Sequence, residues 1–207
     1  MTCSPAFREL KSLWEDGLGA EVRRTAISFL ALIAISLAVF LALPELRERT
    51  IGQIINLMLS KDVLTDSGQI SFLALFANNL QACVFIMLYG LFPYISFPAL
   101  PLGINAGMLG VMAAHAIASG QVLPFLVGVL PHGVIELPAM VLAIGMGLYV
   151  CGQVTRRCRQ DKTARSFLEC LVLISRFLFL LLVPMLVVAA LIEAWVTPAL
   201  LTLFQSF

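Results

Sequence analysis

The sequence predicts an all-α fold: a polytopic transmembrane helical bundle of about five spans, with an N-terminal amphipathic interfacial helix and a re-entrant segment near 120–131. Three observations carry this. Hydrophobic residues make up 60% of the 207-residue chain and charged ones 12%, whereas soluble domains run nearer a quarter charged. The mean hydropathy is +0.99. Several charge-poor runs are long enough to cross about 30 Å of hydrocarbon. A net charge of +1 offers no concentrated basic surface, so nucleic acid is not an expected partner. The lipid bilayer is the first one.

The elements follow in order. In PAFRELKSLWEDGLGA, Phe7, Leu10, Leu13, Trp14 and Leu18 fall at helical spacing, with Arg8, Glu9, Lys11, Glu15 and Asp16 elsewhere on the wheel. Such a helix suits the membrane interface, with Trp14 at headgroup level, or packs on the protein's own cytoplasmic face. Residues 1–22 are therefore set apart from a single transmembrane domain over 23–207. The first span runs from Thr25 to Leu43 and is closed by Pro44. It starts too late and is too long for a cleavable signal peptide, so it is expected to stay in the mature protein. Segment 44–70 is too polar to cross, but Ile51, Ile54, Ile55, Met58 and Leu59 form a stripe suited to a surface helix.

The second span is expected from about Ser71 to Tyr89. Prolines between Phe92 and Pro101 break any helix there. The third span, Leu102 to Ser119, carries Gly103, Gly107 and Gly110, which permit close helix contact. Residues 120–130 are apolar but punctuated by Pro124 and Gly128, then Pro131, and read as a short hairpin arm or re-entrant piece. The fourth span then starts near Pro131, because proline suits a first helical turn, and ends near Cys151. A basic loop with Arg156, Arg157, Arg159, Lys162 and Arg165 leads to the fifth span, about Leu168 to Ala194. Arg176, inside that span, is expected to snorkel.

Orientation follows from the basic residues. The 151–167 loop is the strongest basic cluster, and five spans put it on the same side as Arg8, Lys11, Arg23 and Arg24. Both are expected in the cytoplasm, in a multi-pass protein of the plasma membrane. Five cysteines, Cys3, Cys83, Cys151, Cys158 and Cys170, have no metal-finger or CxxC spacing and read as reduced thiols.

Ionisable groups at membrane depth cost a few kcal/mol or more and usually have a partner or a purpose. On this topology His115, His132, Glu136, Glu193, Asn78 and Asn79 all fall in the outer half of the bundle. His132 and Glu136 stand four residues apart and share a helix face. With Glu193 they can supply imidazole and carboxylate ligands to a divalent metal such as zinc. The same spacing serves a His–Glu hydrogen bond that closes the bundle, and HxxxE lacks the second histidine of the zinc-protease HExxH. Gly133 removes a side chain beside the pair. The asparagines read as interhelical hydrogen-bonding residues and His115 as a buried donor.

The combination of FANNLQ, GINAGMLG, LPHGVIELPAMVLAIGMGL and LIEAWVTP, in this order and at these separations, resembles the stage II sporulation protein M family of integral membrane proteins. The resemblance covers about residues 70–200, with PHGxxELPA its most specific element. It implies a multi-span fold and marks Asn79, Asn105, Gly107, Gly110, His132, Gly133, Glu136 and Glu193 as family-pattern positions. The family's namesake implies a scaffold in peptidoglycan remodelling that anchors lytic partners. Three function classes stand beside one another: a scaffold or assembly component, as a homodimer or with other envelope proteins; a membrane-embedded metal-binding protein or metalloenzyme using His132, Glu136 and Glu193; and a small transporter, since prolines and glycines interrupt helices near polar groups.

Overall fold

The structure is a computed structural model that describes residues 10–59 and 72–205. Expectations resting on Cys3, Phe7, Arg8, Glu9, Lys61, Asp62 and Asp66, and on the side chains of Met58 and Leu59, lie outside the described residues. The described residues are helical without a strand. Five helices are long and apolar enough to cross a membrane: α1 (Leu10–Ala42), α3 (Phe72–Tyr89), α4 (Phe97–Ala118), α5 (Val122–Cys158) and α6 (Phe167–Leu200). A further helix, α2 (Pro44–Leu59), follows α1 directly. It carries Glu45, Arg47, Glu48 and Arg49 in its first turns, and these make it unsuited to cross.

α1 runs from Leu10 into the first span across a kink at Gly17. Gly17 takes φ 117°, inside a π turn over Trp14–Leu18; a side chain there is strained, so glycine permits the kink. Leu13 and Leu18 are buried, while Trp14 is 47% exposed. Ile27, Leu30 and Ile35 on the same helix are well exposed, an apolar face suited to a lipid environment.

Two expectations about helix breaks are corrected. The segment 120–131 is neither re-entrant nor a separate arm: α5 is one continuous helix of 37 residues, with Pro131 and Pro138 inside it. Each proline removes one backbone donor, a loss that spanning helices tolerate because neighbouring groups re-satisfy what is freed. At about 1.5 Å per residue α5 is about 55 Å long, well beyond the hydrocarbon thickness. Pro98 and Pro101, in turn, do not delay the third span to Leu102. A short 3₁₀ turn, Phe97–Ala99, opens it, and the α-helix proper starts at Leu100 with a proline in its first turn, where the missing N–H is not needed.

α5 forms the centre. Its buried face includes Ala139, Ala143, Gly145, Gly147 and Val150, small residues that let backbones approach where burial of apolar surface supplies no drive between helices. A Cβ at Gly147 would meet the Ile86 carbonyl of α3 and the Pro98 ring, one at Gly145 would meet Val22 of α1, and one at Gly90 would meet the Gly147 carbonyl. α4 lies on α1: Gly110 faces Ser36, whose hydroxyl donates to the Gly107 carbonyl at 3.1 Å.

The N-terminal end of α1 and the C-terminal end of α5 meet. The Tyr149 hydroxyl donates to Asp16 at 2.7 Å and accepts from Arg165 Nε at 3.1 Å. Beside them, the loop after α3 is fastened to α5 by Tyr94 N–H donating to Thr155 Oγ1 at 2.9 Å. The loop before α6 is ordered by Asp161, which accepts from Arg156 and from the Thr163 N–H and hydroxyl. These bonds, the Thr163 hydroxyl first, pull the Asp161 carboxyl down to about 2. α6 opens with a capping box: Ser166 Oγ accepts from Glu169 N–H, and the Glu169 carboxylate accepts from Ser166 N–H at 2.6 Å.

Candidate intramembrane polar site

His132 and Glu136 stand one turn apart on α5, and Glu193 comes from the last third of α6. One nitrogen or oxygen donor atom from each lies within 4.8 Å of the others, and the three side chains are half-buried. Local structure aims each of them. Gly133 is buried behind His132, and a Cβ there would meet only Val129 and Leu137 of its own helix among the described residues. Glu193 sits in a π turn, Ile192–Val196, which inserts an extra residue and rotates the helix face at that level. Trp195 of the same turn stacks on Phe72 of α3 with ring centroids 5.8 Å apart, which fixes the register of the turn. His132 Nδ1 is buried and has no hydrogen-bond partner among the described residues.

Glu136 also belongs to a pocket of about 240 Å³ between α3, α4, α5 and α6, where Asn78, Asn79 and Asn105 supply further polar groups. Asn79 lines the same pocket as Glu136. Asn105 spends one amide proton on the Pro101 carbonyl at 2.8 Å. Asn78 and Asn79 are linked by a weak 3.4 Å contact.

His115 does not join this group. It lies at the end of α4 with Nδ1 3.5 Å from a carboxylate oxygen of Glu48 on α2. The Glu48 carboxyl is held below its usual range, chiefly by the Arg47 side chain and to a lesser degree by His115. A Cβ added at Gly103 or Gly107 would meet nothing within 4 Å, so among the described residues only Gly110 of the three makes a close approach. Arg176 is exposed. Sequence reasoning passes over Tyr149, Asp16 and Arg165 as a unit, because no local spacing signals a contact between residues 133 apart. The Ser166-x-x-Glu169 capping box, by contrast, is a legible signal.

The fold and the site together define a polytopic integral membrane protein with an ionisable cluster built between its fourth and fifth spanning helices. The chain belongs to the family described as Stage II sporulation protein M, which matches residues 25–198. That span adds the first membrane helix to the region carrying the sequence motifs. No curated relative and no solved structure matches the chain.

Proposed function

We propose that this protein is a scaffold or assembly component of a cell-envelope complex, set in the plasma membrane with its N-terminus and the loop before α6 in the cytoplasm. The observation that carries the reading is membership of the stage II sporulation protein M family over residues 25–198, a resemblance that implies a scaffold anchoring envelope-remodelling partners. The orientation is supported by the contact of Asp16 with Tyr149 and Arg165, which puts the start of α1 and the basic loop at one end of the bundle. By the positive-inside rule that end faces the cytoplasm. Residues 1–22 then act as the interfacial unit of the fold, with Trp14 at the headgroups. A second copy of the chain packs on the open strip of Gly103, Ile104 and Gly107, where small residues admit a close helix.

The scaffold reading is tested in cells. Envelope proteins crosslinked to the tagged chain are expected to lose their membrane position when the chain is deleted, and to regain it on complementation. Partners that remain assembled and in place in the deletion strain sink the reading. Orientation has its own assay. Cys158 is exposed while Cys83, Cys151 and Cys170 are buried, so in a Cys3→Ser background an impermeant maleimide should label only from the cytoplasmic side. Labelling from outside refutes the orientation.

A further inference from the structure

We infer that His132, Glu136 and Glu193 form a binding site for one divalent transition-metal cation, with Asn79 orienting Glu136 as an outer partner. This goes beyond the scaffold reading and does not depend on it.

The donor set comes first. A neutral imidazole and two carboxylates supply one nitrogen and two oxygens, a set that suits zinc and its first-row neighbours and leaves positions open for water. The charges then cancel, two negative groups against one doubly positive ion. Neutrality matters more here than at a protein surface, because both helices that carry the residues lie in membrane-crossing segments and an uncompensated charge there is expensive. Two carboxylates and an imidazole within 4.8 Å demand a shared cation or proton in any case.

The geometry then favours a metal over a closed hydrogen-bonded triad. His132 Nδ1 is buried without a partner among the described residues, although Glu136 is only one turn away on the same helix. A triad that existed to satisfy itself would close that bond. Donors bound at 2.0–2.2 Å in a tetrahedral site lie about 3.4 Å apart, so the present spacing closes by side-chain rotations on the order of 1 Å. The π turn at Ile192–Val196, braced by Trp195 on Phe72, is what turns Glu193 toward α5; such turns recur at functional sites. Asn79, which lines the same pocket as Glu136, is the kind of outer-shell group that fixes a ligand's orientation. A pocket of about 240 Å³ reaches Glu136 from the side of Asn78, Asn79 and Asn105.

The chain has two histidines, and they make the test clean because His115 lies with Glu48 and away from the site. The full chain, purified in detergent and stripped with a chelator, is titrated with zinc and separately with cobalt. Metal analysis is expected to give about one ion per chain, and cobalt an absorption spectrum of nitrogen and oxygen ligation. His132→Ala and Glu193→Gln should each abolish that spectrum, Asn79→Ala should weaken binding by about 10–100-fold, and His115→Ala and Cys158→Ser should leave it unchanged. Size-exclusion profile and helical circular dichroism establish that each variant is folded; Glu193→Gln, which keeps the side chain's shape, covers the case in which His132→Ala does not fold. The inference is overturned if the folded wild type takes up no metal. It is equally overturned if binding survives both His132→Ala and Glu193→Gln, or is lost in His115→Ala or Cys158→Ser. The scaffold reading stands or falls separately, on partner placement in the deletion strain.

Discussion

Replacing Gly147 by alanine, with Gly103→Ala as its counterpart, asks where the bundle's close contacts lie. Both residues are in helix interiors, so both variants gain the same helix-propensity term, about 1 kcal/mol for alanine over glycine. That term cancels in the comparison. What remains is crowding. At Gly103 an added Cβ has nothing within 4 Å among the described residues; at Gly147 it would stand 2.7 Å from the Ile86 carbonyl oxygen and 2.9 Å from two carbons of the Pro98 ring. Neither neighbour is the free end of a flexible side chain, so helices α3 and α5 must part. Overpacking of this kind costs about 1–3 kcal/mol, and for a chain of this size 1 kcal/mol corresponds to roughly 2–4 °C in Tm. The Gly147→Ala protein should therefore melt about 2–12 °C below Gly103→Ala. In a background with Cys3→Ser and Cys158→Ser a thiol-reactive dye suits the assay, because Cys83, Cys151 and Cys170 are buried and react on unfolding. Equal melting, or a higher Tm for Gly147→Ala, would refute the placement of α3 against α5. Gly107→Leu extends the same reasoning outward: with open space around it in one chain, it should leave monomer melting near wild type while lowering oligomeric size in detergent.

Two further outcomes are expected at the end of the bundle where α1 meets α5. Tyr149→Phe removes a hydroxyl bonded to both Asp16 and Arg165; bonds to charged groups are worth about 1.5–3 kcal/mol, and exposure of Asp16 puts this one at the low end, so Tm should fall by roughly 3–6 °C. No change would mean that the contact does not hold α1 to α5. The Asp161 carboxyl is lowered from an ordinary value of 3.8 to about 2. Because the folded value is the lower one, its stabilising contribution is complete above about pH 4 and disappears as pH falls toward about 2. The melting difference between wild type and Asp161→Asn should accordingly be constant from neutral pH down to about 4 and close between about 4 and 2; a difference that persists unchanged at about pH 2 would assign the loop's order to something other than this carboxylate.

The parts of this fold that are legible in the sequence are those whose physics is local. A charge-poor apolar run long enough to cross a bilayer predicts a helix by itself, since the hydrocarbon forbids unsatisfied backbone, and all five spans can be read this way. Boundaries are less legible because they depend on partners. Pro131 marks a helix start as readily as it sits inside one, and only the continuation of α5 over Val122–Cys158 decides between them. The glycines divide along the same line. GINAGMLG reads as a contact strip from its spacing, yet a Cβ at Gly103 or Gly107 would touch nothing among the described residues, while Gly90, Gly145 and Gly147, without the same spacing, hold close helix approaches. A glycine's meaning is set by the backbone that comes toward it, and that backbone is remote in sequence. The polar site falls between these cases. His132 and Glu136 are legible as a pair because one helix turn relates them. Glu193 is placed near them by topology alone, since a fifth span running back outward returns its end to the same level. The π turn that brings its carboxylate within 4.8 Å of the pair has no sequence signature of its own. Within it, Trp195 stacks on Phe72 of another helix. Trp195 is therefore as much part of the cluster's surroundings as His132, Glu136 and Glu193 are of the cluster, although it offers no ligand atom.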